Sequence, residues 1–118
     1  MSALTIYHNP RCSKSRQTLQ LIEAAGKEVN VVEYLKTPLT KQQLQQVQSL
    51  LGVELRAMMR TKEDEYKAQG LKDAAVSDEQ LLQAMVDTPK LMERPIVISA
   101  NQDKAVIGRP PENVNTLF

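Results

Sequence analysis

The apolar period of the chain changes twice within residues 4–34, and no other feature restricts the fold as much. Leu4-Thr5-Ile6-Tyr7-His8 is a short β-prone run that stops at Asn9-Pro10, because proline biases the residue before it away from helix. From Ser13 the apolar positions fall at helical spacing instead. Leu19, Ile22 and Ala25 share one face, and Gly26 stands where the helix must end. Val29-Asn30-Val31-Val32-Glu33-Tyr34 returns to a strand pattern and is bounded by Thr37-Pro38. Strand, helix and strand within about 30 residues make a βαβ unit, whose right-handed crossover places the two strands parallel.

The remainder divides into a helical block and a second β segment. Thr40 is a suitable N-cap for a helix carrying Leu44, Val47, Leu50 and Leu51 on one face, with Gly52 closing it. Glu54 to Met59 and Lys62 to Gln69 read as short helices. Ser77 and Gln80 fit a capping box opening a further helix with Leu81, Leu82, Met85 and Val86. Residues 40–88 contain no β signal. Ile96-Val97-Ile98-Ser99 and Lys104-Ala105-Val106-Ile107, separated by the polar turn Ala100-Asn101-Gln102-Asp103, predict an antiparallel hairpin. Pro110-Pro111-Glu112 opens a last short helix, with Val114, Leu117 and Phe118 available to pack on the sheet. The order is that of an α/β, thioredoxin-like mixed sheet (β-α-β … β-β-α) with a helical insertion at about residues 40–88.

With 118 residues, 42% hydrophobic and 25% charged, the expectation is one globular domain spanning 1–118. Charged or amide side chains interrupt every apolar stretch before it reaches membrane-spanning length. Met1-Ser2-Ala3-Leu4-Thr5 lacks the basic and then apolar regions of a secretory leader, so a cytoplasmic location is expected. A net charge of +1 and 3% aromatic residues offer neither the field nor the stacking platforms of a nucleic-acid binder. Anion recognition must then be local.

One cysteine, Cys12, excludes an intramolecular disulfide and a multi-cysteine zinc site, and His8 is the only imidazole, so no metal site is expected. Cys12 stands between the first strand and the first helix, in His8-Asn9-Pro10-Arg11-Cys12-Ser13-Lys14-Ser15-Arg16. Unpaired amides at a helix N-terminus, the positive end of the dipole, and the charges of Arg11, Lys14 and Arg16 all favour thiolate. The same amides make a seat for an oxyanion. A structural cysteine is ordinarily a small buried hydrophobe among apolar neighbours. Here seven of the eight flanking residues from His8 to Arg16 are polar or charged, which favours a reactive thiol. His8 either partners the thiolate or simply ends a strand. Ser15 occupies the position of the second cysteine in a Cys-x-x-Cys pair, which excludes a dithiol oxidoreductase. The Cys12 to Arg16 spacing is too short for a cysteine-phosphatase loop, and the glycines of a nucleotide P-loop are missing.

Asn9-Pro10-x-Cys12-x-x-Ser15-Arg16 after the first strand, Arg94-Pro95-Ile96 before the hairpin and Gly108-Arg109-Pro110 after it resemble the glutaredoxin-coupled arsenate reductases over essentially the whole chain. The resemblance implies a thioredoxin-like fold with a helical insertion and reduction of arsenate to arsenite. It implies Cys12 as the nucleophile, Arg60, Arg94 and Arg109 as the arginines that hold the oxyanion, and a cis peptide at Pro95. His8, Ser15 and Arg16 match the active-site loop as supporting residues, with the Ser15 hydroxyl able to donate to the sulfur. Arginine suits the task, since its planar fork pairs with a tetrahedral oxyanion and stays charged at any working pH. Taken without the resemblance, Arg60 would satisfy a helix dipole, Pro95 would start a strand and Arg109 would be a solvated loop charge.

A lone cysteine cannot complete a two-electron reduction, so the second thiol must come from outside. The expectation is no bound cofactor, glutathione as cosubstrate and glutaredoxin as the protein that clears the resulting mixed disulfide. Neither nucleic acid nor membrane is expected as a partner. Two alternatives stay open: a redox-responsive regulator of the same fold that binds RNA polymerase, and a glutathione-dependent thiol transferase.

Overall fold

The computed structural model describes residues 3–118; Met1 and Ser2, two of the five residues on which the expectation about a secretory leader rests, lie outside the described residues. Two compact units are formed, one by the described residues up to Thr37 together with Arg94–Phe118, the other by Pro38–Glu93.

The first unit contains β1 (Leu4–His8), α1 (Ser13–Ala24), β2 (Val29–Glu33), β3 (Ile96–Ile98) and β4 (Ala105–Ile107). They form one sheet in the order β2-β1-β3-β4. β1 runs parallel to β2, with Leu4 opposite Val29 and His8 opposite Glu33, as a βαβ unit requires. β3 lies antiparallel to β1, with Ile6 opposite Val97, and pairs antiparallel with β4 in the expected hairpin. The sheet is therefore mixed.

Leu4, Ile6, Ile22, Val97 and Val114 form the core of this unit, with Leu19, Val29, Val106 and Leu117 packed around them. Truncating a side chain as enclosed as Ile22 to alanine costs about 2–5 kcal/mol. α1 ends where predicted: Gly26 takes a left-handed φ of 71°, and the Gly26 and Lys27 amides turn back to the Glu23 and Ile22 carbonyls. The last helical segment, Pro111–Leu117, is 3₁₀ rather than α. Its period of three aligns Pro111, Val114 and Leu117 on one face, which leaves Phe118, expected against the sheet, 42% exposed.

The second unit holds α2 (Lys41–Leu51), α3 (Asp64–Ala68), α4 (Asp78–Asp87) and 3₁₀ turns at Leu55–Met58 and Pro89–Leu91. α2 and α4 both start with complete capping boxes, Thr40 with Gln43 and Ser77 with Gln80. Each cap contributes about 1 kcal/mol. α2 packs against α4, burying Leu44 and Val47 from one and Leu81, Leu82 and Met85 from the other, and Lys41 pairs with Glu79. Val86, expected on the buried face, is only partly covered, and Ala84 is buried instead. Met59, inside the 40–88 segment read as having no β signal, makes an isolated antiparallel bridge to Met92 beyond it. Among the described residues no helix is long and apolar enough to cross a membrane.

Candidate active site

The turn after β1 shapes the cysteine's surroundings. The Asn9 carbonyl accepts the Cys12 amide at 3.0 Å, and Asn9 Oδ1 accepts the Arg11 amide at 3.0 Å. These bonds close a tight loop through Pro10 and deliver Cys12, in extended conformation, to the N-cap of α1. Ser15, fully buried one turn into the helix, ties the loop down from beneath. Its hydroxyl accepts the Asn9 amide at 3.0 Å and lies 2.6 Å from His8 Nδ1.

Burial is the main reason the His8 pKa lies below the ordinary histidine value; Arg16 lowers it further, while Glu33 opposes. The imidazole Nδ1 and the Ser15 hydroxyl share one hydrogen bond, whose direction follows the tautomer of the ring. Through Nδ1 the imidazole is part of the hydrogen bonding of the loop.

Cys12 is only 9% exposed, and burial pushes its thiol up. The pull in the other direction is stronger and holds the thiol below its ordinary range. It comes from the Ser15 backbone amide, from the hydrogen bond and charge of Arg94, and from the Lys14 amide. These amides belong to the open first turn of α1, as the sequence position implied. Arg109 adds its Nη2, 3.4 Å from Sγ, and anchors itself through Nε to the Arg94 carbonyl at 2.7 Å. The Arg94 guanidinium, partly buried, keeps a pKa above the usual arginine value. Burial works against its charge, but the Cys12 sulfur and the Tyr34 side chain outweigh that cost.

The cations at the sulfur therefore come from the edges of the hairpin. Arg11, Lys14 and Arg16, counted from sequence as the local positive charge, are exposed, and Arg16 donates to the Pro10 carbonyl at 2.9 Å. The Ser15 hydroxyl, expected to reach the sulfur, serves His8 and Asn9, and only the Ser15 backbone amide faces Cys12.

Cys12, Arg94 and Arg109 thus meet at one point, with Pro95 following Arg94 through a cis peptide. A second cis peptide, Arg109–Pro110, had no signal that distinguished it from an ordinary helix start. Arg60 belongs to the helical unit. Its Nε lies 2.8 Å from Glu63 and its Nη1 3.4 Å from Glu93, so its guanidinium is held by two carboxylates rather than by a helix dipole. Tyr34, 1% exposed and in contact with Arg94, was missed by sequence reasoning. Its only signal was an aromatic closing a strand pattern, which reads as core.

A cysteine sulfur flanked by two guanidinium groups and two backbone amides, all of which favour its thiolate form, is a nucleophile with an anion seat around it. Such a site suits attack on a small tetrahedral oxyanion whose charge the arginines neutralise during bond formation. Among the described residues no cluster of three or more His, Cys, Asp or Glu is placed to hold a metal ion.

Residues 7–117 match the model of the ArsC family. The chain is 56% identical over 110 residues to YfgD, an uncharacterized protein of Escherichia coli K12, covering 92% of this chain and 91% of that one. It is 44% identical to an arsenate reductase of Neisseria meningitidis serogroup A over the full length of both chains. The solved structure of an arsenate reductase from Vibrio cholerae superposes with a TM-score of 0.95 at 46% identity, covering 99% of this chain and 98% of that one.

Proposed function

This chain belongs to the ArsC family, and from that premise we propose that it is an arsenate reductase working through the single cysteine Cys12, with glutathione and glutaredoxin as its reductants. The observation that carries the proposal is the convergence of Arg94 and Arg109 on a thiol held below its ordinary pKa. Thioredoxin-like relatives named as arsenate reductases, at 44–46% identity over nearly the whole chain, support the choice of substrate.

In the proposed sequence the Cys12 thiolate attacks arsenic of bound arsenate. A sulfur–arsenic bond forms as an arsenic–oxygen bond breaks, and the departing hydroxyl takes a proton from solvent and leaves as water, with no change of oxidation state. Arg94 and Arg109 hold the remaining oxygens, and the Lys14 and Ser15 amides stabilise the charge at the sulfur. Arg60 is assigned as the third oxyanion arginine by its match to the family pattern. Glutathione thiolate then attacks Cys12 Sγ. The sulfur–arsenic bond breaks with its electron pair on arsenic, arsenic(V) becomes arsenic(III), and the two sulfurs, each oxidised by one electron, become a mixed disulfide. Glutaredoxin removes the glutathionyl group and returns the thiolate. His8, Ser15 and Arg16 keep the loop in shape, and Pro95 fixes the turn that carries Arg94.

Phosphate fits the same oxyanion seat, yet sulfur does not reduce phosphorus(V). Phosphate is therefore expected to compete without turning over. A thiol transferase would need no pair of arginines for a tetrahedral anion, which is why the reductase reading is preferred. The test is NADPH oxidation coupled through glutathione reductase, glutaredoxin and glutathione, started with arsenate. Arsenate-dependent turnover that disappears in Cys12→Ser is expected. A wild-type protein inert to arsenate but active on a glutathionylated peptide would overturn the substrate assignment in favour of thiol transfer.

A further inference from the structure

Gly108 takes part in no chemistry, but its surroundings leave no room for a side chain. A β-carbon built on it would lie 2.5 Å from Thr18 Oγ1, 3.1 Å from Thr18 Cγ2 and 2.8 Å from Pro95 Cγ, inside van der Waals contact on two sides. Its φ is not left-handed, unlike those of Gly26, Gly52 and Gly70, so backbone conformation does not demand glycine here. The demand is for close approach.

The contacts on either side lead to the cysteine. Thr18, fully buried, lies on α1 and is fixed by its hydroxyl donating to the Lys14 carbonyl at 2.8 Å. Lys14 supplies one of the amides that hold the Cys12 sulfur. On the other side the Gly108 amide donates to the Pro95 carbonyl at 2.8 Å, and the next residue, Arg109, bonds through Nε to the Arg94 carbonyl at 2.7 Å and reaches Sγ at 3.4 Å through Nη2. The bare backbone of Gly108, with Arg109 next to it in the chain, is thus wedged between α1, which has Cys12 at its N-cap, and the Pro95 turn that follows Arg94.

We propose that Gly108 is a positioning residue: its lack of a β-carbon lets the backbone sit against Thr18 and Pro95, which sets the distance between Arg109 and the Cys12 sulfur. Any added volume at 108 pushes the end of the hairpin off α1, and a shift of even an ångström removes Arg109 from hydrogen-bond range of Sγ. The proposal depends on the sulfur–arginine geometry alone. It stands or falls separately from the identity of the substrate.

The test is the pH dependence of Cys12 alkylation by iodoacetamide, followed by mass spectrometry on the intact chain, with thermal melting of each variant alongside. Gly108→Ala is expected to raise the titration midpoint of the thiol toward that of Arg109→Ala and to add no further shift in the Arg109→Ala background. Thr18→Ala alone leaves the midpoint near wild type. In the double variant Gly108→Ala with Thr18→Ala, two of the three clashing atoms are gone and the midpoint returns toward wild type. Two merely destabilising changes would compound, whereas this pair must compensate. If Gly108→Ala does not fold, the folded double variant carries the test: a wild-type-like profile supports the proposal. An unchanged midpoint in Gly108→Ala, or a double variant with the profile of Arg109→Ala, overturns it.

Discussion

Replacing Ser15 with alanine separates two roles for that residue by their size. In the structure the hydroxyl is the partner of two buried groups, the Asn9 amide at 3.0 Å and His8 Nδ1 at 2.6 Å, and the residue is fully buried. Removing it leaves both without a partner, each at a cost of about 1–3 kcal/mol. Part of that is recovered because the hydroxyl itself no longer has to be desolvated, so a net loss of about 3 kcal/mol is expected. For a chain of 118 residues, at about 4 °C per kcal/mol, Tm should fall by about 12 °C. The Ser15 backbone amide, which reaches the sulfur, is untouched by the substitution. Alkylation of Cys12 against pH should therefore keep its wild-type midpoint at a temperature where both proteins are folded. Circular dichroism melts and the alkylation profile, run on the same preparations, decide the matter. A fall in Tm of less than about 3 °C accompanied by a clear rise of the cysteine midpoint would mean that the hydroxyl serves the sulfur, and the reasoning would be refuted.

Other outcomes follow from the same geometry. Arg94→Ala should raise the Cys12 midpoint, since it removes both a hydrogen bond and a charge from the thiolate, whereas Arg16→Ala, whose side chain bonds the Pro10 carbonyl, should leave it in place; alkylation rates between pH 5 and pH 10, a window bracketing the free-thiol pKa of about 8.5, report both. His8 has a folded pKa lowered mainly by burial, so below its unfolded value of about 6.5 the unfolded chain binds more protons and stability falls with falling pH. His8→Gln should flatten that part of a Tm against pH curve. Thr40→Ala, which breaks the capping box of α2, should cost about 1 kcal/mol in urea unfolding while leaving the Cys12 profile unchanged.

Local signals carried the element order because they rest on neighbours in the chain. The Pro10 stop, the Gly26 end of α1, the Thr40 N-cap, the Ser77 box and the hairpin turn are each decided within a few residues, and all appear in the structure. The position of Cys12 at a helix start was legible for the same reason. Its electrostatics were legible only in sign. The charges beside it in sequence point to solvent, and those beside its sulfur arrive from Arg94 and Arg109 by pairings that composition and period do not encode. Only the motif resemblance pointed to those two arginines. Nothing local marks Tyr34 as a contact of Arg94. The fit of Gly108 against Thr18 is a packing fact between distant segments, where a glycine next to a strand end reads as an ordinary turn.

The central claim is that one cysteine reduces arsenate by passing through a mixed disulfide with an external thiol. The most direct measurement is a single turnover: the protein mixed with arsenate and excess glutathione, without glutaredoxin, quenched with acid, with arsenite quantified and the intact chain weighed. The account predicts one arsenite released for each chain that gains a glutathionyl group on Cys12, then arrest until glutaredoxin is added. Arsenite formed without glutathionylation, or a Cys12→Ser chain that releases it equally well, would contradict the account.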